Sequence, residues 1–207
     1  MPTNSPVSPV VRGSWKCQAL TATLALLFFT VLLGLVYPAL ITGVGQLALS
    51  HQANGSLVVI GNKPVASELI GQSFSQPGYF WSRPSALGTP YDASTSSGSN
   101  LGPLNPALHD AVAKRVADLR AAGGAASAKV PVDLVTTSGS GLDPHITPAG
   151  AYYQVGRVAQ ARGLPEDVVR ALVDANVEGR TFGLLGEARV NVVRLNIALD
   201  ERKAPAR

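Results

Sequence analysis

Thiols and imidazoles are nearly absent from this sequence: one cysteine, Cys17, and three histidines, His51, His109 and His145, stand among 207 residues. A single cysteine excludes an intrachain disulfide, and without an HExxH run or paired cysteines no zinc-site spacing is present. Charge is scarce too. Asp, Glu, Lys and Arg make up 14% of the chain, against about 25% in ordinary globular proteins. The place where charge is missing sets the organisation of the molecule.

No Lys, Arg, Asp or Glu occurs between Lys16 and Lys63, and inside that gap Ala19 to Ile41 reads ALTATLALLFFTVLLGLVYPALI. As a helix this run covers about 34 Å, enough to cross a hydrocarbon core of about 30 Å. A cleaved signal peptide has a shorter apolar region, about 7–15 residues, ending at small residues; this run ends near Tyr37-Pro38. A lipoprotein anchor needs small residues ahead of its cysteine, and here Trp15 and Lys16 precede Cys17. The expectation is a short cytoplasmic tail, 1–16, an uncleaved transmembrane helix, 17–41, and an extracytoplasmic domain, 42–207. Pro38 marks a kink or the outer end of the span. Gly34, Ala39 and Gly43 are small enough to let another helix approach.

Sidedness follows from the flank. Arg12 and Lys16 are the only charges ahead of the span, and excess Lys and Arg favour the cytoplasmic side. All 13 acidic residues and 15 of the 17 basic ones lie beyond it, leaving that part at +2. Such a balance excludes the basic stripe of a nucleic-acid binder.

Beyond the span the sequence alternates helical patterns with short strands. Leu57 to Ile60, a Gly61-Asn62 turn and a resumption at Val65 predict a β-hairpin. Residues 78–105 are rich in Gly, Pro and Ser and predict a long irregular loop, which Tyr79, Phe80, Trp81 and Tyr91 would pin to a core. Asn105-Pro106 opens a helix with Leu108, Val112, Val116 and Leu119 on one face. The AAGGAASA run, Ala121 to Ala128, ends that helix in a flexible connection, and VPVDLVTT, Val130 to Thr137, predicts a strand. Thr147-Pro148 starts a helix that closes at Gly163, and Pro165 with Glu166 and Asp167 starts the next. Over 190–199, alternating Val193, Leu195, Ile197 and Leu199 fit a strand, whereas Asn191 as N-cap fits a helix; the helix is the expectation. The fold class is therefore α+β, one transmembrane helix followed by one mixed domain.

The densest chemistry lies in SGSGLDPHITPAG, Ser138 to Gly150. Ser138 or Ser140 with Asp143 and His145 supplies the residue types of a serine hydrolase. Triad members usually converge from distant segments, however, and no GxSxG elbow is present. Asp-Pro, Thr-Pro and the glycines equally describe a turn leading into a helix. A P-loop is excluded, since no lysine follows the GxxxxGK[ST] pattern. Arg83, among aromatics in WSRPSA, and Glu178 and Arg180, in EGR, are further candidates for charge pairing or partner contact.

Taken together, YFWSRPSA, STSSGSNLGPLNP, DLVTTSGSGLDPHITPAGA and LLGEARVNVVRLNIALD, all downstream of one N-terminal span, resemble the C subunit of the Kdp-type, high-affinity potassium-transporting P-type ATPase. One departure is Asn176-Val177 ahead of Glu178-Gly179, where that family more often carries His-Thr. The resemblance implies an accessory subunit of the cell inner membrane with no catalysis and no metal of its own. Its partners would be an ATP-hydrolysing subunit, a potassium-channel-like subunit and membrane lipid, with no nucleic acid. It also implies help with assembly and a catalytic-chaperone role in ATP binding, ATP being reached through the complex and not held tightly by this chain. Arg83, Ser138, Ser140, Asp143, His145, Glu178 and Arg180 are the candidate partner or nucleotide contacts. The competing expectation is a membrane-anchored exported serine hydrolase using Ser138 or Ser140.

Overall fold

The computed structural model describes residues 13–123 and 129–202, so Arg12 and most of the expected tail and Ala121–Ala128 connection lie outside the described residues. The chain divides into two compact units, meeting in sequence at Asn54 and Gly55.

The first unit is dominated by one apolar helix, Trp15–Ala48. It consists of α1 (Trp15–Val31), a π-helical turn (Leu32–Val36) and α2 (Tyr37–Ala48). Its length and composition suffice to cross a membrane, and none of its most apolar window is buried by the rest of the chain. Pro38 explains the π turn. Proline lacks an N–H and its ring presses on the carbonyl four residues back; the wider turn, in which the Tyr37 N–H donates to the Leu32 carbonyl, makes room for it. The helix thus continues past Pro38 for two further turns and more. A short α3 (Ser50–Ala53) follows.

In the second unit, β1 (Leu57–Ile60) and β2 (Lys63–Ser67) form an antiparallel hairpin with a register irregularity between Val58 and Val59. The core lies elsewhere. It is built by α4 (Pro106–Ala121), α5 (Pro148–Arg162), α6 (Glu166–Ala175) and α7 (Val192–Glu201) around a small antiparallel sheet ordered β3-β5-β4, from β3 (His145–Ile146), β4 (Val177–Glu178) and β5 (Arg189–Asn191). Val190 on the central strand pairs with Ile146 on one side and Val177 on the other. Around it Val155, Val158, Val169, Val173, Leu195 and Leu199 are buried.

Local chemistry sets the helix ends. The Asn105 side chain accepts from the Ala107 N–H, Thr147 from Gly150, and Asn191 from Val193 and Arg194. Gly163 closes α5 in the left-handed region, at φ 65°. Asn191 also reconciles the two patterns over 190–199: Arg189–Asn191 is strand, and the same asparagine then caps a helix.

One expectation is overturned. Val130 to Thr137 is not a strand; Val132–Leu134 forms a 3-10 turn. Asp133, Leu134 and Val135 are buried in succession, and the Leu134 and Val135 N–H groups donate locally, to the Pro131 and Val132 carbonyls at 3.2 Å each, and not to a neighbouring strand.

The long segment 78–105 has no helix or strand, yet it is fixed. Phe80 is fully buried, and Tyr79 stacks on Phe74 at 5.5 Å between ring centroids. Side chains supply the hydrogen bonds that a neighbouring strand would give. Gln154 on α5 accepts from the Trp81 N–H (2.7 Å) and donates to the Trp81 carbonyl (3.2 Å). Arg157, buried and stacked 4.1 Å above the Trp81 ring, donates to the carbonyls of Pro77 and Tyr79 and to Gln154. Burial pulls its guanidinium pKa down to about 10.

Candidate functional site

The loop Ser138–Ile146 lies against the pinned segment, and each of its polar groups has a specific job. Ser138 is buried, and its Oγ accepts from the Gly141 N–H at 2.9 Å. The Ser140 Oγ accepts from the Leu142 N–H at 3.1 Å. Both are serine turns that offer the backbone a local partner. The carbonyls face outward to neighbours: Ser140 O accepts from the Ser97 N–H (3.0 Å), Gly141 O from the Ser85 hydroxyl (2.8 Å) and Leu142 O from the Gly71 N–H (2.8 Å).

Asp143 is the junction. One carboxylate oxygen takes the Arg83 Nη1 at 3.2 Å. The other takes the His145 N–H at 3.0 Å and faces the His145 Nδ1 at 3.2 Å. Arg83 Nη2 reaches the Thr137 carbonyl at 3.2 Å, while Arg83 Nε is buried with no partner among the described residues. Burial favours a protonated Asp143, but the His145 ring and N–H and the Arg83 charge outweigh it and hold the carboxyl below its ordinary value. The Tyr91 hydroxyl donates to the Arg83 carbonyl, and burial, with the Asp143 charge adding to it, pushes the phenol up.

Asp133, from the 3-10 turn, fixes the far end. Its Oδ2 accepts from the Thr147 N–H (2.7 Å) and its Oδ1 from the Thr147 hydroxyl (3.2 Å), which in turn caps α5. Its one sequence trace is a carboxylate inside an apolar run.

Five of the seven candidate residues therefore share one place: Arg83, Ser138, Ser140, Asp143 and His145. Glu178 and Arg180 sit in a second charge cluster. Glu178 binds Arg189 at 3.0 Å and Arg194 at 3.4 Å, and Arg194 also pairs with Glu68. Arg180 grips both oxygens of Glu187, at 2.9 and 2.8 Å. The clusters meet at a cleft of about 270 Å³ lined by Arg83, Asp133, Asp143, His145, Glu187 and Arg189, among others. Both arginines and carboxylates line it, so it forms no single-sign cradle for an anion.

A serine hydrolase requires its nucleophile within hydrogen-bond reach of the base. Asp143 meets the His145 Nδ1 as a triad's carboxylate would, but Ser138 and Ser140 turn to backbone N–H groups and neither hydroxyl is hydrogen-bonded to the His145 ring. Among the described residues no group of three His, Cys, Asp or Glu side chains gathers to hold a metal ion. The residues that sequence reasoning passed over, Asp133, Gln154, Arg157 and Asn196, each bond a partner between 14 and 116 residues away along the chain.

Comparison with known proteins gives a consistent result. Residues 19–201 match the family model KdpC, "K+-transporting ATPase, c chain". A "Potassium-transporting ATPase KdpC subunit" from Polaromonas naphthalenivorans is 59% identical over 180 residues, 86% of this chain and 92% of the relative. One from Burkholderia orbicola is 57% identical over 190 residues, covering 90% and 98%. Another, from Herpetosiphon aurantiacus, is 54% identical over 184 residues, covering 88% and 95%.

Proposed function

We propose a function from one premise: the chain belongs to the KdpC family, the c chains of K+-transporting ATPases. On this reading it is a non-catalytic accessory subunit of an ATP-driven potassium import complex of the cell inner membrane. Helix Trp15–Ala48 is its single span. The N-terminus is cytoplasmic and the mixed domain extracytoplasmic, as the Arg12 and Lys16 flank favours. Its partners are the ATP-hydrolysing subunit, the potassium-channel-like subunit and surrounding lipid.

What supports the non-catalytic reading is that the Ser138 and Ser140 hydroxyls accept from the Gly141 and Leu142 N–H groups and neither is hydrogen-bonded to the His145 ring. The chaperone role in ATP binding, with assembly, belongs to the same reading. An outer domain lies across the membrane from ATP hydrolysis, so its influence on nucleotide passes through the partner chains. ATP is not held tightly by this chain. Arg83, Asp143, His145, Glu178 and Arg180, on or beside the mixed-charge cleft, are contacts for a partner chain, with Ser138 and Ser140 shaping the loop behind them.

Pull-down of the full chain in mild detergent, with identification of the co-purifying proteins, tests this. Large multi-span ATPase chains are expected; recovery of this chain alone, under conditions that preserve complexes, overturns the reading. A reporter fused after Arg207 tests sidedness, and activity confined to the cytoplasm would reverse the topology and restore direct contact with ATP.

A further inference from the structure

Between β4 and β5 the chain runs out into RTFGLLGE, residues 180–187. Phe182, Leu184 and Leu185 at its tip are 90%, 79% and 64% exposed. The tip is not loose. The Thr181 N–H donates to the Leu185 carbonyl at 2.9 Å, and the Leu185 N–H returns to the Thr181 carbonyl at 3.0 Å. Gly183 and Leu184 donate back to Arg180 and Thr181, and Phe182 itself is held at φ 55°, a left-handed conformation that a bulky residue rarely adopts. At the base, Arg180 grips both oxygens of Glu187, and Arg189 pairs with Glu178.

Three large apolar side chains are thus presented to water on a stapled turn within a paired-charge collar. Contiguous exposed apolar surface rimmed by polar residues marks an interaction site. The charges indicate the partner. A lipid-inserting tip relies on unpaired Lys or Arg against anionic headgroups, whereas here Arg180 and Arg189 are neutralised by Glu187 and Glu178. An apolar centre inside a neutral polar rim is the anatomy of a protein–protein contact.

We propose that residues 181–185 are a docking finger that inserts into an apolar socket on another chain of the potassium-transporting complex, with the Arg180–Glu187 pair as its rim. The proposal rests on the accessory-subunit reading and adds the place of contact. It requires the finger to be shielded in the assembled complex and exposed in the isolated chain.

The test is photo-crosslinking in the purified complex, with p-benzoylphenylalanine in place of Phe182 in the full-length chain. A control carries the same probe in place of Leu104, which is 91% exposed on a different loop. The expected result is an adduct between position 182 and one identified ATPase chain, absent from position 104. A companion variant, Phe182→Ser with Leu184→Ser, is expected to lower retained complex about tenfold or more while leaving the melting temperature of the isolated chain unchanged. Adducts at 182 only to lipid or to a second copy of this chain, equal labelling from 104, or undiminished complex with the double variant overturn the finger proposal. In each of those cases the complex still forms, and the accessory-subunit reading survives. Failure of the unsubstituted chain to co-purify with any ATPase chain overturns both.

Discussion

Asn196 acts as the strand partner of Phe80. Its side-chain amide accepts from the Phe80 N–H at 2.8 Å and donates to the Phe80 carbonyl at 2.9 Å, across 116 residues of sequence and in a buried setting. Gln154 does the same for Trp81. Two amides from two helices thus stand in for a β-ladder, which is why a segment without regular structure holds its position under the Ser138–Ile146 loop.

Asn196→Leu leaves the Phe80 N–H and carbonyl buried and unpaired, at about 1–3 kcal/mol for each group. A loss of roughly 2–6 kcal/mol in urea unfolding of the detergent-solubilised chain is expected. Asn196→Asp, which sets an oxygen against the carbonyl, is expected to be no better. Unchanged denaturation midpoints for both would show that the clamp contributes nothing.

The Asp143 carboxyl is held below its ordinary value, so the sign of its pH dependence is fixed. Its contribution to stability is complete above the unfolded value, about 3.9, and is lost as pH falls through the lower folded value. Asp143→Asn removes that contribution. Over the acid range the difference in stability between the two proteins is expected to shrink as pH falls, measured as denaturation midpoints at matched pH. A constant difference would mean that the carboxylate charge is not what Arg83 and His145 stabilise.

Ser138 and Ser140 are expected to behave as turn residues. Ser138→Ala deprives the Gly141 N–H of its partner at a buried site, at a cost of about 1–2 kcal/mol, and Ser140→Ala, at a more open site, costs less. Neither serine is expected to take up an activity-based fluorophosphonate probe. Labelling of the full chain that disappears in Ser140→Ala would restore the hydrolase reading.

Gly141 stands at φ +71°, and a Cβ there would lie 2.7 Å from Leu87 Cγ and 2.9 Å from the Ser97 carbonyl. Gly141→Ala combines a strained backbone with a clash against the pinned segment, and a loss of about 2 kcal/mol or more is expected. Gly88→Ala, where a Cβ meets nothing within 4 Å, is the control and should leave the melting temperature within about 2 °C of the parent. Equal effects at the two positions would remove the packing explanation.

Local signals were legible residue by residue. Asn105, Thr147 and Asn191 cap helices because a short polar side chain can satisfy a free N–H two or three positions on, and that chemistry needs no distant partner. The Gly61-Asn62 turn of the β1–β2 hairpin and the Gly163 stop are of the same kind. Val130 to Thr137 misled because an apolar, β-branched run has no local means of announcing that Asp133 must reach Thr147. In the candidate site, Asp143 and His145 were visible as neighbours in sequence. The pairing of Asp143 with Arg83, 60 residues away, was not.

By itself the sequence determined the long apolar helix, the helix starts and stops, the α+β character and, through its resemblance to a known family, the kind of complex in which the chain works. Each depends on contacts between near neighbours or on composition along a continuous run. Only the tertiary structure decided what the Ser, Asp and His of SGSGLDPHITPAG do, that Gln154, Arg157 and Asn196 hold the aromatic segment, and that Phe182, Leu184 and Leu185 face water on a rigid turn. Those outcomes depend on which groups meet after folding, and a hydrogen bond spanning 116 residues leaves no trace in the spacing of either partner.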